Sequence, residues 1–386
     1  MKKFLFISET YPSGLTGTSV KTRNTIQHLL KLGHKVDVAC ISFDTLVKKE
    51  LKHKNFRAFA IREKGIRRFR IGWFWRVFEI IFTYKPFIVS SIFNKKVQMV
   101  FDALEEEYDR VFFDGFATLQ YARKKDARYI YIDDEDITYL MKRRVDQESN
   151  IFLKIFLYTE FLRSLFFEKI KLSYMNQVWA IAKEDQKRLK TLSPAKTLLM
   201  PTLIEEQKNC FSKKSKDFIF VGTLSWRENY LGLRWFIKNC WSEISNDFPD
   251  SKLLIVGQQG DDSWKKLIKN YKNIKLLGFV DELDSVFKKS AIAISPVFVN
   301  VGIKIKVLTY LSYGIPTVST KISTGGMAST NGIYLANRNN FAKKTKELFK
   351  KSDLRLKLSK EGWENIKKNH SGFALDLFFS KSKIFD

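Results

Sequence analysis

Cysteine is scarce in this chain of 386 residues, with only three copies. Cys40, Cys210 and Cys240 are scattered and show no CxxC or histidine-linked spacing. That usage excludes a disulfide framework and a cysteine zinc site, and it fits a reducing cytoplasm. Long apolar runs are also missing. No stretch of about 20 uncharged apolar residues exists, so no transmembrane helix is expected. The opening Met1-Lys-Lys-Phe-Leu-Phe-Ile7 starts like a signal peptide, but its apolar run stops at Ser8-Glu9, too soon for a leader. Internal repeats and low-complexity tracts are absent. So are helix-turn-helix, RNP, KH and zinc patterns, which argues against nucleic acid as a partner. Acidic residues are few beside the basic ones, 41 against 68, leaving a net charge of +27. Such a charge implies an anionic partner, either a membrane surface or a phosphorylated substrate, except where scattered lysines merely solubilise the chain. For most of the second half the solubilising explanation is preferred.

What is present is a full core and a strand–helix rhythm. Hydrophobic residues make up 45% of the chain, and its length predicts two domains. Short apolar runs recur between longer helical stretches, the pattern of parallel sheets. In the first half they are Phe4–Ile7, Val36–Ile41, Val111–Phe113, Tyr129–Ile132, Val178–Ile181 and Thr197–Met200. In the second they are Phe218–Val221, Lys252–Val256, Ile274–Leu277, Ala291–Ile294, Thr317–Thr320 and Ile333–Leu335. Each half can thus build its own doubly wound sheet. The expected division is 1–200, a polar linker at 201–216, a second domain at 217–365, and a C-terminal helix at 366–386.

Residues 302–320 carry the most information. An apolar strand precedes Gly302, which is expected to open a helix. Ile303, Val307, Tyr310, Leu311 and Gly314 recur at helical spacing, and Gly314 with Pro316 ends the helix. Lys304 and Lys306 fall in its first turns. A helix N-terminus with a cation beside it suits a diphosphate. On a helix the two lysines point about 200° apart, so one of them at most faces such a ligand.

This segment resembles the donor-binding helix of GT-B glycosyltransferases of the family 4, or group 1, type. Gly302, Lys306, Val307, Leu308, Gly314, Pro316, Val318 and Ser319 fit the family pattern, and that register selects Lys306. The family glutamate that binds ribose hydroxyls is Thr309 here. The opening strand and glycine loop, with Gly17 before the first helix (about 19–32), resemble the family's first domain. Phe218–Val221, Gly222 and the loop to Asn229 resemble the start of its nucleotide domain, with Asn229 expected as a helix N-cap. Arg227 becomes a candidate phosphate contact.

The resemblance implies a GT-B fold, α/β, with two Rossmann-like doubly wound parallel-sheet domains facing a cleft. The first would be the acceptor side and the second the nucleotide-sugar donor side, with the final helix crossing back to the first. It further implies retention of configuration, no metal and no cofactor, with a UDP- or GDP-sugar as substrate. Asp136, in the acidic run Asp133–Asp136, and Asp114 are the candidate catalytic carboxylates. A D-x-D metal site is set aside, because acids after a strand commonly cap a helix. His28, His34, His53 and His370 fall outside the family's histidine positions, so a histidine base is not expected. The expected acceptor is a lipid-linked bacterial glycan hydroxyl at the inner face of the plasma membrane.

Residues 62–76 interleave Arg67, Arg68, Arg70 and Arg76 with Phe69, Trp73, Phe74 and Trp75, a composition suited to an anionic membrane. The similar stretch at 151–174 reads instead as a core helix capped by lysines. Two rival readings are a GT-B-shaped accessory subunit without activity, raised by Thr309, and a sugar-nucleotide epimerase, for which no acid/base pair is evident.

Overall fold

The computed structural model describes residues 1–14, 17–42, 50–60, 84–133, 137–257, 262–299 and 304–386. The chain separates into two compact units, one of residues 1–200 with 379–386, the other of 201–378.

The first unit is a seven-stranded parallel sheet in the order β3-β2-β1-β4-β5-β6-β7. Its strands are β1 (Lys3–Thr10), β2 (Lys35–Ser42), β3 (Phe56–Ala60), β4 (Arg110–Asp114), β5 (Tyr129–Asp133), β6 (Gln177–Ala180) and β7 (Lys196–Leu199). The central strands are covered on both faces, which is why they read as unbroken apolar runs rather than as alternating ones. Phe6 stacks on Phe112 at 4.5 Å between ring centroids, and Phe112 meets Trp179 at 5.3 Å. The chain's last residues belong to this core. Phe379 packs on Trp179, Phe385 on Phe4 and His34, and Gln177 Nε2 donates to the Ser382 carbonyl at 2.7 Å.

Strand β3 has no counterpart among the expected strands. It sits at the sheet edge, and its five residues are broken by Arg57, so the apolar signal is short. Its register pairs Arg57 with Asp37, and the two side chains form an ion pair at 2.5 Å.

The second unit is a six-stranded parallel sheet in the order β10-β9-β8-β11-β12-β13. These strands are β8 (Asp217–Val221), β9 (Leu253–Val256), β10 (Ile274–Gly278), β11 (Ser290–Ser295), β12 (Thr317–Thr320) and β13 (Ile333–Ala336). Both sheets therefore reverse strand order beside their first strand, the doubly wound arrangement that places ligands at the carboxyl edge of the reversal.

Two expectations need correction. The polar stretch at 201–216 is not a free linker. Thr202, Leu203, Ile204 and Cys210 are buried, and Ile204 and Cys210 donate their backbone N–H groups to His370 and Tyr313. A few apolar anchors hold it to the second unit while its lysines face water. The helix Ile151–Leu172 is likewise no simple core helix. Phe167, Ser164 and Leu172 are buried, but most apolar residues of its first half are exposed. No helix among the described residues is long and apolar enough to cross a membrane.

Candidate functional site

In the second unit the order reverses between β8 and β11. A glycine follows β8 and β9 and ends β10 at this edge: Gly222, Gly257 and Gly278. The backbones crowd together there. A Cβ on Gly257 would lie 2.0 Å from the Gly222 carbonyl oxygen, and one on Gly222 would lie 2.8 Å from Asn229 Nδ2 and 3.2 Å from Lys306 Nζ. Only glycine fits, and the edge is left as bare backbone that a ligand can approach closely. Gly232 does similar work for packing. It lets the helix Arg227–Phe236 settle against the exit of β11, where a Cβ would meet the Pro296 carbonyl oxygen at 2.1 Å.

Lys306 reaches this edge from the helix Ile305–Ser312, which starts just after Lys304 at its N-cap. Its ammonium donates to Asn229 Oδ1 and lies 4.3 Å from the centre of the Phe220 ring. Part of the residue meets solvent, but the ammonium is enclosed. Desolvation first, and Lys304 second, lower its pKa to about 7, against an upward pull from Glu228. No carboxylate forms an ion pair with Lys306 among the described residues, so its charge is partnered by a neutral amide and a ring face. An enclosed cation of this kind is what an incoming anion stabilises.

Asn229 was expected to cap the helix from outside. It lies inside the first turns instead, buried, with Nδ2 donating to the Thr223 carbonyl at 2.9 Å and Oδ1 facing Lys306. This is a site residue that sequence reasoning noticed but gave the wrong task. Tyr310 was read only as a core position. Its hydroxyl accepts from the Val221 N–H at 2.8 Å, bracing the end of β8 beside Gly222. Thr309 donates its hydroxyl to the Ile305 carbonyl of its own helix at 3.0 Å. Arg227 is exposed at the first position of its helix. Gly302 and Asp136 lie outside the described residues, as does the stretch 62–76.

In the first unit the reversal lies between β1 and β4. The helix Gly17–Lys31 begins there, and Gly17 is its first residue. Asp114, at the end of β4, is not the open carboxylate expected. It is buried and accepts from Lys21 Nζ at 2.8 Å, Thr22 Oγ1 at 2.6 Å and Ser8 Oγ at 3.3 Å. Three donors tie one carboxylate to the helix and to β1, so its geometry is that of a brace. A neighbouring acid behaves differently. Asp133 ends β5 fully buried, with Tyr131 donating to Oδ1 at 2.8 Å and Arg188 4.0 Å from Oδ2. Burial, more than the nearby Glu168 and Asp185, raises its pKa to about 8 despite Arg188. Arg188 is committed to Glu168, which it grips with two hydrogen bonds at 2.7 and 2.9 Å.

Two Rossmann-like parallel-sheet units in one chain define the GT-B fold, and the solved structures agree. The protein is similar to the sucrose-phosphate synthase of Thermosynechococcus elongatus, with a TM-score of 0.70 and 14% identity over 99% of this chain and 98% of that one. It is similar to Anabaena HepE, solved with UDP and glucose, with a TM-score of 0.66 and 11% identity over 99% of each chain. A third is WaaG, a glycosyltransferase involved in lipopolysaccharide biosynthesis, with a TM-score of 0.65 and 13% identity over 96% of this chain and 97% of that one.

The second unit narrows the class. Residues 215–351 match the family model described as "Glycosyl transferases group 1". It is also 24% identical over 269 residues to an "Uncharacterized 44.6 kDa protein in cps region" of Klebsiella pneumoniae. That match covers 67% of this chain and 66% of the relative, just under two thirds of its length.

Proposed function

We propose that this protein transfers a sugar from a nucleotide sugar, a UDP- or GDP-sugar, to a hydroxyl of a bacterial glycan, with retention of configuration and without a resident metal. The acceptor is lipid-linked, and the stretch 62–76 meets the anionic membrane that carries it. The observation that carries this reading is Lys306, a cation enclosed beside a glycine-only strand edge, with no ion-paired carboxylate among the described residues. As the bond between the anomeric carbon and the diphosphate breaks, negative charge grows on the leaving oxygen. Lys306 and the N-terminus of its helix stabilise that charge, while the acceptor oxygen bonds to the anomeric carbon and gives up its proton. Arg227 adds a second cation from the first position of the helix Arg227–Phe236. HepE, solved with UDP-glucose, and WaaG, named for lipopolysaccharide biosynthesis, support the donor and acceptor classes by likeness of fold.

One observation favours a second reading, an accessory subunit without activity. Thr309 stands at the family's ribose position, and its hydroxyl is already bound to its own helix. A thermal-shift screen with UDP- and GDP-sugars, followed by turnover of any that bind, separates the two. Binding with release of nucleotide supports transfer. Binding without turnover across the panel supports the accessory role, and no binding at all overturns the donor site.

A further inference from the structure

The helix Ile151–Leu172 changes character along its length. Its second half supplies Phe167, Ser164 and Leu172 to the core of the first unit. Its first half does not. Phe152, Ile155, Phe156, Leu162 and Phe166 recur at helical spacing, so they share one face, and all are exposed. Phe152 is 82% exposed, far more than packing or chance placement on a soluble surface calls for. The face continues beyond the helix, because exposed Tyr84 meets the Phe166 ring at 6.3 Å.

Base outweighs exposed acid on this helix and on the helix Ile137–Gln147 beside it, where Asp146 is the exposed acid. The helix contains two acids, Glu160 and Glu168, and both are buried. Glu160 holds the Phe87 N–H and Arg163, while Glu168 holds Arg188 and Thr138. Lys169 is exposed on the helix at the edge of the face, Lys154 is half-exposed on another side of it, and Lys142 and Arg144 are exposed on the helix Ile137–Gln147 packed beside it. An apolar, aromatic helical face on a chain of net charge +27 suits the headgroup region of an anionic bilayer. A second copy of this chain is a poorer occupant. A two-fold contact would bring the same cations face to face, between molecules that each carry a net charge of +27.

We propose that the exposed face of helix Ile151–Leu172 docks the protein in plane on an anionic lipid surface. This rests on the membrane part of the reading above and not on the donor site. It assigns docking to the helix Ile151–Leu172 and not to residues 62–76.

The test is co-sedimentation of the full chain with vesicles of phosphatidylglycerol and phosphatidylcholine, beside vesicles of phosphatidylcholine alone. The wild type is expected to pellet with the anionic vesicles and to be released by salt. Burying one phenylalanine favours partitioning by about tenfold or more, so Phe152→Ser with Phe156→Ser and Phe166→Ser should abolish pelleting while the melting temperature holds. Phe152→Ser alone asks the same question at a side chain with almost no packing to lose. Lys142→Glu with Arg144→Glu and Lys154→Glu should weaken binding to the anionic vesicles selectively. Wild-type binding by the serine variants overturns the proposal, as does a wild type that never pellets at low salt. A wild-type dimer that the serine variants convert to monomer, seen by sedimentation velocity, also overturns it by naming a second copy as the occupant. Arg67→Glu with Arg68→Glu and Arg70→Glu separates the two surfaces. If that variant alone loses binding, 62–76 is the docking element and the helix is not.

Discussion

Lys306 is a lysine placed where its charge is costly. Its enclosed ammonium has a pKa lowered to about 7. The unfolded chain protonates this lysine near its ordinary value of about 10.4, so stability falls as pH drops from there toward the folded value. Lys306→Ala should therefore fold at least as well as the wild type at neutral pH, and lose donor binding for a reason other than unfolding. Turnover should fall by about 2.7–4 kcal/mol of transition-state stabilisation. Lys304→Ala, at the helix N-cap, should cost much less. Equal, wild-type kinetics in both variants would remove Lys306 from the site.

The same lysine sets a pH dependence. A bound diphosphate raises its pKa, so binding above about pH 7 must take up a proton, whereas below it the ammonium is already charged. Affinity for a UDP-sugar should thus be flat in mild acid and decline as pH rises toward about 9. Calorimetry in buffers of different ionisation enthalpy reads the proton directly, and a flat profile would place the diphosphate elsewhere. At Thr309 the expected change is opposite in kind. Thr309→Glu gives the pocket a carboxylate that accepts two ribose hydroxyls, and nucleotide affinity should hold or rise. If binding disappears, the ribose lies elsewhere.

At the scale of elements, Asp114 is the fastening between β4, β1 and the helix Gly17–Lys31. Its ion pair with Lys21 is sealed from water on both sides. Breaking a buried pair leaves an uncompensated charge and costs about 3–5 kcal/mol. Asp114→Ala should show that loss in denaturant melts. Asp114→Asn should keep kcat near that of the wild type wherever the protein stays folded. A folded Asn variant with kcat lowered a hundredfold would return Asp114 to the list of catalytic groups. The sequence made the strands of this element legible but not the carboxylate's task, because an acid after a strand looks the same whether it faces a ligand or three donors from the interior. Asn229 was hidden for a related reason. Its place three residues into a helix looks ordinary until the fold brings Lys306, 77 residues later, against its side-chain oxygen. Strand β3 escaped because an edge strand needs only half a hydrophobic pattern.

For the whole molecule the governing property is charge. A net charge of +27 favours encounter with any anionic surface, and each basic residue close to one contributes about 1 kcal/mol. Charge reversal at Arg67, Arg68 and Arg70 is expected to weaken binding to anionic vesicles and reduce its salt dependence. Unchanged sedimentation would mean that 62–76 plays no part and would favour a soluble acceptor.

The sequence alone determined the two-sheet architecture, since runs of apolar residues separated by helical stretches can be buried only in covered parallel sheets. It also placed glycines at the strand ends and showed that one at most of Lys304 and Lys306 faces a ligand, because these are local patterns set by backbone sterics and helical period; the choice of Lys306 rests on the family resemblance. Only the tertiary structure decided which polar groups face one another. Burial turned Asp114 into a brace, gave Asn229 to Lys306 and buried both acids of helix Ile151–Leu172. It also left the first half of that helix with its apolar face uncovered. Those outcomes depend on contacts between residues far apart in the chain, which composition and spacing do not encode.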